Sequence, residues 1–286
     1  MKLKRILVPT DFSEEANNAL DVAVEIADIA NAEISLLHVV DVPSVTHYDS
    51  VTAIGGVDES PELYNVYTGS LQKVVEAKMK QISEQYPNVL IHEHIVFDSL
   101  QRHIASFVTK DETDLIVMGS SGIHGIDELF IGSNTEKVIR LAKAPVLTIK
   151  QKEDSFYPRE MVFASTFDKV SDKTALSLKV FQELFNATLH LVKVITPNTF
   201  EATTYTIETI EEFAKKYGFE NYKIHTFNFF SEEEGIRVFA DQINADMIAM
   251  STHGRKGISH MLLGSIAEEV ANHSHKSVLT FNEHYK

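Results

Sequence analysis

The residues with the clearest chemical potential lie between Gly119 and Ser133. Gly119 and Gly122 come first, then a nine-residue spacer, then Gly132-Ser133. Glycines let backbone N–H groups approach an anion with no Cβ in the way. A Gly-Ser pair at a helix start adds unpaired N–H donors, the positive end of the helix dipole and a hydroxyl. The chemistry suggested is phosphate binding. Taken alone, three glycines are explained equally well as turn residues and a helix cap.

The elements that must position this loop are legible on either side of it. Leu115 to Met118 is an apolar run too short for a helix and reads as a buried parallel strand. Thr135 to Leu141, with Val138, Ile139 and Leu141, reads as a helix. Strand, loop and helix in that order place the glycines at the carboxyl edge of a sheet, where open α/β folds bind ligands.

The stretch is also repeated. Thr113 to Gly119 (T-D-L-I-V-M-G) recurs as Ala245 to Ser251 (A-D-M-I-A-M-S), and Ile131-Gly132-Ser133 recurs as Leu263-Gly264-Ser265. Pro145 to Thr148 recurs as Ser277 to Thr280, and all three matches share an offset of 132 residues. Such a repeat is the mark of internal duplication. Near the N-terminus the ungapped match pairs Ile6 with Val162, an offset of 156, and Asn31 with Asn186. The first repeat therefore carries about two dozen extra residues, assigned to Val42 to Gly69, a turn-rich segment with Pro43, Gly55-Gly56, Ser60-Pro61 and Gly69. That segment reads as a surface loop, or as a lid bringing Tyr48, Tyr64 and Tyr67 towards a base.

The remaining chain alternates strands and helices. Expected strands are Arg5 to Val8, Ile34 to Val40, Val89 to Val96 and Val146 to Ile149, with helices after Ser13, at Leu71 to Gln85 and at Leu100 to Thr109. Ser13 is the expected N-cap of the first helix, supported by Glu14 and Glu15. The second half repeats the order, and Gln151 to Pro158 reads as the linker. The strands Val146 to Ile149 and Val278 to Phe281 are expected to be the edges on which the repeats meet.

Composition sets the bounds. The chain has 286 residues, no cysteine and a formal net charge of −15. Disulfides, thiolate catalysis and Cys-ligated zinc are excluded, and the balance disfavours nucleic acid and anionic lipid as partners. No apolar run is long enough to cross a bilayer, and M-K-L-K-R-I-L-V-P does not read as a signal peptide, so a cytoplasmic setting is expected. His92 and His94 share a strand face but no third metal ligand is indicated, and the same holds for His225, His273 and His275. The Walker pattern G-x4-G-K-S/T is absent, which leaves no visible machinery for fast ATP hydrolysis.

Together these motifs resemble universal stress protein domains. The resemblance rests on G-x2-G-x9-G-S at Gly119, Gly122, Gly132 and Ser133, on I-L-V-P-T-D at Ile6 to Asp11, and on L-L-H-V at Leu36 to Val39. It implies an α/β fold of two tandem Rossmann-like domains of the adenine nucleotide alpha-hydrolase kind, 1–150 and 159–286. Each would be a five-stranded parallel sheet with helices on both faces, the pair docking as an intramolecular pseudo-dimer, with a homodimer as a further option. It also implies an adenine nucleotide, ATP or AMP, with or without Mg. By the same resemblance Pro9, Thr10, Asp11 and Val39 would lie on the adenosine side. Met118, Gly119, Ser121 and Gly122 would line the ribose and first phosphate, and Gly132, Ser133, Asn134 and Thr135 would hold the outer phosphates. Read on its own, Asp11 is equally an Asx turn before a helix.

The second repeat departs from the pattern. The ungapped match puts Phe167 opposite Asp11 and Ser251 opposite Gly119, while Gly254, Gly264 and Ser265 remain and Arg255 and Lys256 are added. Gly254, Arg255, Gly264 and Ser265 are thus a degenerate second set. The implied function is a stress-response sensor or adaptor with an unknown protein partner and no assigned catalytic residue. The alternatives are a slow ATPase or nucleotidyl-transfer enzyme, and a protein-interaction module that uses no nucleotide.

Overall fold

The computed structural model describes residues 2–40, 61–97, 113–120, 133–251 and 265–283. The first half opens with β1 (Arg5–Pro9), α1 (Glu14–Ala30) and β2 (Glu33–Val40). The Ser13 hydroxyl caps α1 by accepting from the Ala16 N–H, and Asn31 ends it in the left-handed region at φ 52°. Then come α2 (Pro61–Ser83), β3 (Ile91–Phe97), β4 (Leu115–Gly119), α3 (Ser133–Leu141) and β5 (Val146–Ile149).

The second half has β6 (Glu160–Ala164), α4 (Asp172–Phe185), β7 (Thr188–Ile195) and α5 (Thr203–Tyr217). It continues with β8 (Tyr222–Asn228), α6 (Glu232–Gln242), β9 (Met247–Ser251), α7 (Ser265–His273) and β10 (Ser277–Phe281).

The strands form one ten-stranded sheet, ordered β3-β2-β1-β4-β5-β10-β9-β6-β7-β8. All pairings within a half are parallel. The halves meet where β5 and β10 run antiparallel, with Leu147 opposite Leu279, so the expected edges are the joint. Two apolar layers cover the sheet and both run through both halves. One holds Leu20, Ile26, Phe163 and Phe181 under α1 and α4; the other holds Val138, Ile139, Phe239 and Val270 under α3, α6 and α7. Arg140 of α3 reaches Glu268 of α7 across the joint at 3.1 Å, and the Asn282 side chain donates to the Arg140 carbonyl at 2.7 Å.

Three expectations change. Pro61 and Gly69 do not mark a loop: Pro61 opens α2, where its missing N–H is no loss, and Gly69 lies within the helix. At 23 residues α2 is longer than α5, which has 15, so part of the additional length is helical. The segment Gln151 to Pro158 is packed rather than free. Phe156 is buried against Phe185, and its N–H donates to Glu25 at 2.7 Å. The expected helix at Leu100 to Thr109 and residue Tyr48 lie outside the described residues, as do the side chains of Tyr64 and Tyr67.

The third change is a one-residue register correction. Asp114 Oδ2 accepts from the N–H groups of Lys4 and Arg5, and Asp246 Oδ2 accepts from those of Arg159 and Glu160. Thr10 N–H donates to the Leu37 carbonyl, and Ser165 N–H to that of Val192. Phe12 and Phe167 both adopt positive φ, 67° and 66°, and their N–H groups donate to Thr10 Oγ1 and Ser165 Oγ respectively. The two aspartates keep the offset of 132, but the donors they bracket and each of the other pairs lie 155 residues apart, so Ile6 corresponds to Met161 and Asp11 to Thr166, not Phe167.

Candidate functional site

In the first half the sheet order reverses between β1 and β4, the kind of switch point beyond whose strand ends open α/β sheets take ligands. The parallel register brings Pro9, Thr10 and Asp11 after β1, Val39 near the end of β2, and Met118 and Gly119 at the end of β4 to one edge. The first turn of α3, with Ser133, Asn134 and Thr135, is tied to that edge by Thr135 Oγ1, which donates to the Gly119 carbonyl at 3.2 Å. Ser121, Gly122 and Gly132 lie outside the described residues, as do Gly254, Arg255 and Gly264.

The local chemistry of each group differs. Thr10 is buried and spent on the fold: its N–H, hydroxyl and carbonyl are all engaged, the carbonyl by His38 Nδ1 at 2.8 Å. That carbonyl can only accept, so His38 carries its proton on Nδ1. Asp11 is exposed and forms an Asx turn, with Oδ1 accepting from the Ser13 N–H at 2.9 Å. Partial burial works to raise its pKa. The hydrogen bonds from the Ser13 hydroxyl, the Ser13 N–H and its own N–H, with the His38 charge, outweigh that and hold the carboxyl below its usual range. The group is therefore an ionised acceptor at the end of β1. Asn134 is exposed at the helix start, and Val39 is half-buried at the crevice.

Gly119 has a structural reason for being glycine. A Cβ there would come within 2.5 Å of the Glu15 carbonyl oxygen, so the residue lets the first turn of α1 seat on β4. The close backbone is the chain's own. The second half carries Ser251 at this place, and there α4 starts three residues later relative to the strand frame, with Ser171 as its N-cap.

The equivalent edge of the second half is partly filled. Ser165, Thr166, Lys193 and Ser251 line a cavity of about 90 Å³. Lys193 stands where the first half has His38, is buried, and pairs with Glu201 at 2.6 Å; Thr206 donates to the same carboxylate. Burial works to raise the Glu201 pKa, but the bonds from Lys193 and Thr206 and the Lys193 charge win and lower it.

Sequence reasoning passed over Lys150. It follows β5 directly, beside Ser120, whose N–H donates to the Ile149 carbonyl. Lys150 Nζ and Thr148 Oγ1 are buried with no hydrogen-bond partner among the described residues, and burial pushes the amine down to about 8. A lysine closing an apolar strand reads as a solubilising end, so nothing in the sequence marked it. Among the histidines, His92 pairs with Glu33 at 3.2 Å, and His190 lies between Glu160 (2.6 Å) and His225 (3.1 Å). Among the described residues no group of three His, Cys, Asp or Glu is placed to hold a metal. No described helix is long and apolar enough to cross a membrane.

These features define a doubled α/β protein, each half with its crevice at a topological switch point and the halves fused through their fifth strands. The family profile described as "Universal stress protein family" matches residues 2–150 and 229–282, and the chain belongs to that family. Universal stress protein MJ0577 of Methanocaldococcus jannaschii is 32% identical over 155 residues, covering 52% of this chain and 96% of that protein. Universal stress protein Slr1230 of Synechocystis is 25% identical over 292 residues, covering 98% of this chain and all of that one. A universal stress protein crystal structure from Archaeoglobus fulgidus superposes with a TM-score of 0.71 at 21% identity, covering 97% of this chain and 98% of that chain. That last similarity bears on the fold.

Proposed function

We propose that the first half, 1–150, binds an adenine nucleotide, ATP or AMP with or without Mg, and that the protein acts as a cytoplasmic stress sensor or adaptor. In this reading 159–286 is a second domain whose site has been given up. The observation that carries the proposal is Asp11: an ionised carboxylate held in a fixed turn at the switch point, at the same sheet edge from which α3 starts. Such a carboxylate accepts from ribose or adenine donors, while the α3 N-terminus, with Ser133, Asn134 and Thr135, supplies N–H groups and a positive dipole end to phosphate. Gly122 and Gly132 complete the motif in sequence. In the second half the charge of Asp11 is replaced by the neutral hydroxyl of Thr166, and Lys193, paired with Glu201, lines the cavity at that edge. This asymmetry supports a single nucleotide per chain.

Calorimetric titration of the full chain with Mg-ATP is expected to show one site. Asp11→Ala should weaken it about tenfold or more, for a charge-assisted acceptor worth roughly 1.5–3 kcal/mol. Gly132→Val should weaken it by about thirtyfold, and Ser265→Ala should leave it unchanged. Two equal sites, or one site that responds to Ser265 and ignores Asp11, would overturn the proposal.

A further inference from the structure

We propose that the second half carries a binding site for a linear polyamine, an organic cation with two or more ammonium groups, between α5 and the turn that joins β6 to α4. A cavity of about 480 Å³ opens there, within the size range of small-molecule sites. Phe167, Tyr205, Phe213 and Tyr217 give it aromatic walls, and Asp168, Glu208 and Glu212 give it carboxylates.

The first half shows which chemistry this turn accepts. Phe12 and Phe167 are the same residue of the same positive-φ turn, held by the same hydroxyl-to-amide bond. In the first half the ring of Phe12 is covered by the chain's own cation: Lys78 Nζ, reaching from α2, lies 4.2 Å from the ring centroid. The corresponding helix in the second half, α5, offers Tyr205, Glu208, Thr209 and Glu212 instead, and the space stays open. An ammonium there gains the cation–π attraction that Lys78 gains, now with carboxylates beside it.

Charge selects the class. Lys216 is the one cation on the lining, and it is already committed to Asp172 at 3.1 Å and stacked over Tyr217 at 4.6 Å. Asp168 and Glu208 make no ion pair among the described residues. Glu208 and Glu212 are one helical turn apart on one face, a spacing of about 6 Å that suits two ammonium groups on one chain. A metal ion would find carboxylates but also four aromatic rings, which a hard cation does not use.

The test is calorimetric titration of the full chain with spermidine, with 1,4-butanediol as the uncharged control. Saturable binding of spermidine and none of the diol is expected. Glu208→Gln with Glu212→Gln should weaken it at least tenfold, while Glu233→Gln with Glu234→Gln, an acidic pair on α6, should change it less than twofold. Thr209→Lys, which supplies a tethered cation as Lys78 does, should abolish it and leave the melting temperature unchanged or higher. Absence of saturable binding would overturn the proposal. So would an equal loss in the α6 pair, which marks diffuse attraction to a chain of net charge −15. Full affinity in folded Thr209→Lys, or binding of a lysine-rich peptide but not of spermidine, would also sink it.

Discussion

The two halves share a frame, and one place where they differ is the start of the first helix after the first strand. In the first half α1 begins at Glu14 and its first turn presses on Gly119; in the second, α4 begins at Asp172 and the strand ends on Ser251. Both halves keep the aspartate bracket at Asp114 and Asp246, and both keep the aromatic turn at Phe12 and Phe167. Loss of a motif glycine therefore reports where a helix sits before it reports anything about a ligand. What distinguishes the second edge is instead the neutral Thr166 and the buried Lys193–Glu201 pair.

If this comparison is right, Gly119→Ala should be costly and Ser251→Ala nearly silent. The first forces a Cβ against backbone 2.5 Å away and should cost about 3 kcal/mol in denaturant unfolding. The second should stay within about 0.5 kcal/mol. Equal costs would dissolve the link between glycine and helix start.

Next in size comes the joint, where Lys150 and Asn282 are related by the repeat offset of 132 yet, among the described residues, Asn282 has a hydrogen-bond partner and the Lys150 amine has none. Burial depresses the Lys150 amine from 10.5 to about 8. Below pH 8 the amine is charged in both folded and unfolded chains, and the folded chain carries the full penalty. Between pH 8 and 10.5 the folded chain has released a proton that the unfolded chain keeps, so stability rises with pH and the penalty is gone above that window. Lys150→Met should raise stability at pH 7 by on the order of 2–3 kcal/mol and flatten the rise. A destabilised Lys150→Met would show that the amine is satisfied in solution.

The smallest effect should be at Arg140. Its pair with Glu268 is more than half exposed on the arginine side, and α7 offers Asn272 at the matching position. Arg140→Ala should cost no more than about 1 kcal/mol and should lose its effect in high salt. A larger, salt-independent loss would mean that the helix contact, not β5–β10, holds the halves together.

Much of this was legible beforehand, and the misses have causes. Strand and helix order, the joint and the Ser13 cap could be read because periodicity, turn residues and repeats agreed. The register slip at β6 arose because Glu160–Ala164 is an apolar run buried on both faces. Such a strand has no in–out alternation to mark its register, and a one-residue shift looks equally good. Hydrogen bonds at the strand ends, from Asp246 and Ser165, fixed it. Pro61 misled because proline serves turns and first helical turns alike. Phe156 was passed over because a single aromatic in a polar segment has no period, and its burial depends on Phe185 and Glu25, far away in sequence.

The antiparallel pairing of β5 with β10 has a consequence for how such a chain can change. In a two-fold assembly of identical subunits every replacement is made twice, once on each side of the axis, so a change useful to one partner is imposed on the other. Here both faces of the seam belong to one polypeptide, and each position is written once. Lys150 can differ from Asn282, and Thr166 from Asp11, without a matching loss across the seam. A seam within one polypeptide permits specialisation that a symmetric contact forbids, because each side can change alone.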